Sequence, residues 1–200
     1  MIWIGLATAA VLGLFLVLVL FARKWTKHFR EMTGALRTMG LTVNERPPLA
    51  AHGTVEGVGL SIGTERRTTT TATVYDVMTV RARCRVALPD VLIHRRDSEA
   101  LEFQSTMGFR EIDAGDPAFN QEFKTLVADD AAEAFIRGGG LPPSLLALRD
   151  PESSTVLEDF RISAGEAALA FRPAWLTTAL SQRAVRLLVA VGSGEDALRP

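Results

Sequence analysis

Apolar and polar positions follow different rhythms along this chain. Met1 to Ala22 is apolar almost throughout, with no charge and Thr8 its one hydroxyl. As a helix at 1.5 Å per residue it would be about 33 Å long, against a bilayer core of roughly 30 Å. Backbone polar groups in lipid must bond within the segment, so the run predicts a transmembrane helix. Beyond it, Phe29, Met32, Leu36 and Met39 recur at helical spacing. That stripe predicts a helix ending at Gly40, followed by a linker through Asn44 to Pro48.

The rhythm then changes to a period of two. Glu56-Gly57 separates two apolar stretches, a hairpin signal, and Val58, Leu60 and Ile62 alternate with small residues after it. The polar run Glu65 to Thr71 predicts a loop. A long strand is expected from about Thr73 to Leu88. Met78, Val80, Ala82, Cys84, Val86 and Leu88 would lie on one face, and Thr79, Arg81, Arg83 and Arg85 on the other. On that register Cys84 is expected to be buried.

Further on, Val91 to Ile93 and residues 122–127 read as short strands. Asp130 and Glu133 sit at the spacing of a capping box and predict a short helix to Arg137. Pro142-Pro143 opens a second, ending near Arg149. Phe160 and Ile162 face Leu169 and Phe171 across a turn at Ala164-Gly165-Glu166. Leu176, Leu180, Ala184, Leu187 and Val191 form the stripe of a last helix. Clustered strands favour an α+β fold. The expected architecture is an N-terminal transmembrane helix, then a mainly antiparallel sheet with two short helices and a C-terminal helix. Its divisions are an anchor at 1–25, a juxtamembrane helix and linker at 26–48, and an α+β domain at 49–200.

Charge gives the anchor a direction. Arg23, Lys24, Lys27 and Arg30 follow the apolar run and no basic side chain precedes it. The positive-inside rule then places the N-terminus outside and the domain in the cytoplasm, at the inner membrane. The opposite, periplasmic orientation is the alternative. Trp3 and Trp25 would mark the two interfaces, with Arg23, Lys24 and Lys27 among lipid headgroups. Gly5, Ala9 and Gly13 repeat every four residues, a spacing that lets two helices approach and suggests a homodimer through the span. The rest of the chain is mildly acidic, which argues against nucleic-acid binding. Lysine occurs only at 24, 27 and 124. Arginine here therefore reflects composition as much as chemistry.

Few residues suggest catalysis. Gly138-Gly139-Gly140 lacks the Lys and Ser/Thr of a phosphate loop, and two prolines follow it closely. His52, His94 and Cys84 stand alone rather than at metal-ligand spacing, so no metal or cofactor is expected. No serine occupies a nucleophile elbow. Asp129, Asp130 and Glu133 suit helix capping. Arg81, Arg83 and Arg85 form the surface feature most suited to an anionic partner.

Gly115-Asp116-Pro117-Ala118-Phe119-Asn120, with Phe123, resembles the motif G-D-P-x-F-D-x-x-F of a bacterial membrane-anchored family of unknown function. The acidic pair Asp129-Asp130 follows it, as in that family. The resemblance implies a similar domain over roughly residues 50–190 but brings no activity or ligand. Physically, Asp116-Pro117 is a turn or helix start, and Phe119 with Phe123 fills the core. The sequence as a whole suggests a single-pass membrane protein whose domain is a binding or assembly module for an unknown protein partner. The alternative is a membrane-tethered hydrolase with a carboxylate-based site.

Overall fold

The computed structural model describes residues 19, 23, 26, 27, 29–44, 49–100, 108–149, 154–173 and 176–194. Residues 29–38 form helix α1. Then come β1 (Thr42–Asn44), β2 (Ala50–Val55), β3 (Val58–Thr68), β4 (Val74–Arg83), β5 (Val91–Arg95) and β6 (Arg110–Ile112). Helix α2 (Pro117–Glu122), β7 (Phe123–Val127), α3 (Asp130–Arg137) and α4 (Leu141–Leu146) follow. The last elements are β8 (Val156–Ser163), β9 (Glu166–Arg172) and α5 (Thr178–Ser193).

All nine strands join one sheet in the order β1-β2-β3-β4-β9-β8-β5-β7-β6, and every pairing is antiparallel. The hairpin β8–β9, last in sequence, sits between the meander β1–β4 and the group β5, β7 and β6. Its two strands join the halves of the sheet.

Local chemistry accounts for the turns and helix ends. At the β2–β3 turn Glu56 has φ 51° and Gly57 φ 80°, and at the β8–β9 turn Ala164 has φ 51° and Gly165 φ 76°. Two positive φ values in a two-residue loop give the twist that antiparallel strands need. Asp129 caps α3 by accepting from Ala132 N at 2.8 Å. Thr177 caps α5, which ends at Gly194 in the left-handed conformation.

One face of the sheet carries the core. Val58, Leu60 and Ile62 of β3, Met78 and Val80 of β4, Leu169 and Phe171 of β9, and Phe160 and Ile162 of β8 are buried there. Helix α5 packs across β3, β4 and β9, while α2 and α3 pack on β7. Helix α1 belongs to the same core, because Met32 and Leu36 are buried in it.

Several expectations need correction. Among the described residues, no helix is long and apolar enough to cross a membrane. The apolar run expected to span lies almost wholly outside the described residues. The fold is a nine-stranded antiparallel sheet with flanking helices, and the reading as a single-pass, signal-anchored membrane protein is without support. The stripe Met32–Leu36 is covered by the domain itself, so it leaves nothing there for a partner helix to cover. The expected loop 65–71 is largely strand, since β3 runs on to Thr68. β4 ends at Arg83, short of the expected Leu88. Three short helices precede α5 rather than two, because Asp116 and Pro117 start α2.

Candidate functional site

Strand β8 departs from regular pairing at one place. Leu157 pairs with Phe171 and Asp159 with Ala170, leaving Glu158 as the extra residue of a β-bulge. A bulge re-aims side chains. Leu157 and Phe160 both stay on the core face, while Asp159 lies on the other. Glu158 and Asp159 are nonetheless 0% and 1% exposed.

Each acid meets partners from distant strands. Arg67 of β3, 3% exposed, donates from Nη1 to Asp159 Oδ2 across 92 residues of sequence. The Oε1 of Glu158 accepts from Tyr75 OH at 3.1 Å and from Ser98 Oγ at 2.5 Å. Its Oε2 lies 3.5 Å from Arg172 Nε, and the Arg172 guanidinium stands 5.5 Å from the centre of the Tyr75 ring. The tip of the β3–β4 hairpin meets the segment that follows Ser98. Thr70 N donates to Glu99 O at 3.0 Å, and Thr69 bridges to Ala100.

Electrostatics follow from this burial. Burial pushes the Asp159 carboxyl up, against the downward pull of Arg67. Tyr75 is pushed up to about 12, by burial first and then by the Glu158 charge. His94, opposite Asp159 in register, is buried and donates from Nδ1 to Arg95 O at 2.9 Å. Burial lowers its imidazole, and Lys124 adds to the effect.

This cluster was not among the sequence-derived candidates. Two adjacent acids between the apolar Leu157 and Phe160, and two arginines before a threonine run, are its signals in the sequence. As arranged, the acids are held by Arg67 and Arg172 together with two hydroxyl groups. A carboxylate so engaged fixes strands to one another; the Oε2 of Glu158 has the Arg172 charge beside it but no hydrogen bond.

The expected site residues fall into separate places. Arg81 bonds Glu65 at 2.8 Å and Glu166 at 3.3 Å, so it is neutralised. Arg83 is exposed at the end of β4, and Arg85 lies beyond the strand. Arg85 N donates to Gly192 O at 2.7 Å. Its guanidinium lies so close to the β2–β3 turn that a Cβ on Gly57 would meet Nη1 at 2.9 Å. Val86 beside it is 42% exposed. Cys84 is half-buried rather than buried, because the strand has already ended. Burial still pushes its thiol up.

In the motif segment, Asp116 caps α2 through Ala118 N and Phe119 N at 2.9 and 3.1 Å. Pro117 occupies the first turn, and Gly115 takes φ 83°. Phe119 is fully buried and stacks on Phe123 with centroids 4.9 Å apart. Asp113 accepts from Gly115 N and from Asn120 Nδ2. Every one of these contacts is a packing or capping contact. Arg23 is exposed, and Lys27 pairs with Glu31 at 3.8 Å. Trp3, Gly5, Ala9, Gly13, Lys24 and Trp25 lie outside the described residues. Among the described residues, no group of three or more His, Cys, Asp or Glu is placed to hold a metal ion. No family model, curated protein or solved structure matches the chain.

Proposed function

We propose that the folded region is a binding module that docks an acidic partner along the end of β4. The observation that carries this reading is the division of the arginines. Arg81 is spent on Glu65 and Glu166, and Arg67 on Asp159. Arg83 and Arg85 have no ion-pair partner among the described residues, and the exposed Val86 directly follows Arg85. Two guanidinium groups without ion-pair partners, in one short stretch with an exposed apolar side chain, suit a partner segment that alternates acidic and apolar residues. The two buried acids of β8, Asp159 and Glu158, are paired with Arg67 and Arg172, which supports the module over the enzyme.

The test is a fluorescence-anisotropy titration of the full chain with a synthetic peptide of alternating Glu and Leu. Charge reversal at Arg83 and Arg85 together is expected to weaken binding by about tenfold or more, and added salt to weaken the wild type similarly. Arg81→Gln is expected to change affinity little. Equal binding by the wild type and the charge-reversed double variant would remove the basis for this reading.

A further inference from the structure

A second place on the molecule leaves charges unpaired, and here they have opposite signs. A cleft of about 320 Å³ lies between the end of α1, the β2–β3 turn and α5. Met39, Val55, Val185 and Val189 give it apolar walls, and Glu56 and Arg186 both line it. These two do not pair with one another, and neither has an ion-pair partner among the described residues. Gln182, one helical turn before Arg186, adds an amide to the same wall.

The β2–β3 turn sets the position of Glu56. Its φ of 51° is the left-handed conformation that Ala164 also takes at the β8–β9 turn, so it belongs to the two-residue hairpin. Asn, Asp or Gly fills that position best, and Glu is not required there by the turn. The turn holds the Glu56 carboxylate at the cleft's rim.

We propose that this cleft binds a small zwitterion with an apolar side chain, an α-amino acid in chemical class. Arg186 takes the ligand carboxylate through its planar fork, helped by the Gln182 amide. Glu56 takes the ammonium group. The apolar side chain rests on Met39, Val55, Val185 and Val189. The volume is at the lower end of the roughly 300–1,000 Å³ typical of ligand pockets, which suits a ligand of this size. A ligand with one charge only would leave the opposite protein charge unanswered, so discrimination follows from having both. The cleft is lined by none of the residues of the proposed docking edge, and the two readings stand or fall separately.

Calorimetric titration of the full chain with L-leucine and L-methionine tests the proposal. Saturable binding in the millimolar range is expected, with 4-methylpentanoate, which lacks the ammonium, and isopentylamine, which lacks the carboxylate, each weaker by about tenfold or more. Arg186→Gln and Glu56→Gln should each cost about the same factor. Glu56→Asn is the sharper variant. It places a favoured residue in the turn, so it should raise the melting temperature while binding is lost. Two outcomes would overturn the assignment: no saturable heat with either amino acid up to about 50 mM, or binding that the Glu56 and Arg186 variants leave unchanged. Either result would leave the acidic-peptide titration unaffected.

Discussion

Asp159 and Phe160 are neighbours in β8, both almost fully buried, and they are held by different physics. Phe160 faces the helices and joins one continuous apolar cluster. Its burial is non-directional, and any well-shaped apolar neighbour serves. Asp159 faces the other way and meets Arg67. That contact is directional, and each charge was costly to take out of water. The two faces show that being buried and being apolar are separate properties. On the helix side burial drives folding. On the other side the buried acids meet Arg67 and Tyr75 of the β3–β4 hairpin, and the charges there specify which strands lie together.

The largest effects should come from breaking one contact on each face. Arg67→Ala leaves Asp159 buried without its partner and is expected to cost about 3–5 kcal/mol. Phe160→Ala opens a core cavity and should cost a similar 3–5 kcal/mol or so. Urea midpoints will not separate the two mechanisms, but a double variant will. Arg67→Met with Asp159→Leu removes both charges and fills the space, so it should recover most of the stability lost by Arg67→Ala. If the double variant is no more stable than the single one, the two faces do not differ in the way described.

The Glu158 half of the cluster offers a smaller and more specific effect. Tyr75 is the only tyrosine in the chain, so tyrosinate absorbance reports on it alone. Its phenol is held up at about 12 by burial and by the Glu158 charge. The sign follows from linkage. The unfolded chain ionises near pH 10 while the folded one keeps its proton, so this contribution is intact below about pH 10 and is lost as pH rises through the folded value. Glu158→Gln should bring the titration midpoint down towards the ordinary value. It should also cost about 1–3 kcal/mol, because a buried charged hydrogen-bond acceptor is replaced by a neutral one. An unchanged midpoint would mean that Glu158 does not act on Tyr75.

The contrast between faces also explains what was legible in the sequence. Apolar periodicity found the stripe of α5, the alternation in β3 and β4, and the turns at Glu56-Gly57 and Ala164-Gly165, because each is a local pattern. Arg67 sits in a polar run that resembles a solvated loop, and its partner is 92 residues away. The bulge at Glu158 was invisible for a related reason. Without pairing information, Leu157 and Phe160 are out of phase and one of them appears misplaced. β1 and β6, three residues each, are too short to carry a period. In the candidate site, the exposed position of Arg83 could be read from alternation. The neutralisation of Arg81 could not, since Glu65 opens a polar run with the composition of a loop. The small-residue repeat at Gly5, Ala9 and Gly13 falls outside the described residues.

The smallest expected effect concerns a polar atom on the wrong face. Thr125 of β7 stands on the core side, opposite Ile93 of β5 and Ile112 of β6, and is 1% exposed. Its Oγ1 has no hydrogen-bond partner. A buried hydroxyl in that state has given up water and received nothing, at a cost of about 1–3 kcal/mol. Thr125→Val keeps the branched shape that a strand favours and exchanges the hydroxyl for a methyl group. The variant should therefore be more stable by about 1 kcal/mol, with the melting temperature raised by roughly 2–4 °C. The same exchange at Thr79 should do the opposite. Thr79 lies on the other face, and its Oγ1 donates to Gly63 O at 3.2 Å. Thr79→Val leaves that carbonyl with one bond fewer, so a loss of about 1 kcal/mol is expected. Two identical substitutions with opposite signs, measured by the same thermal melt, give the most direct comparison of the faces. Equal signs would show that the helix side holds a bonded hydroxyl at Thr125 and is not uniformly dry.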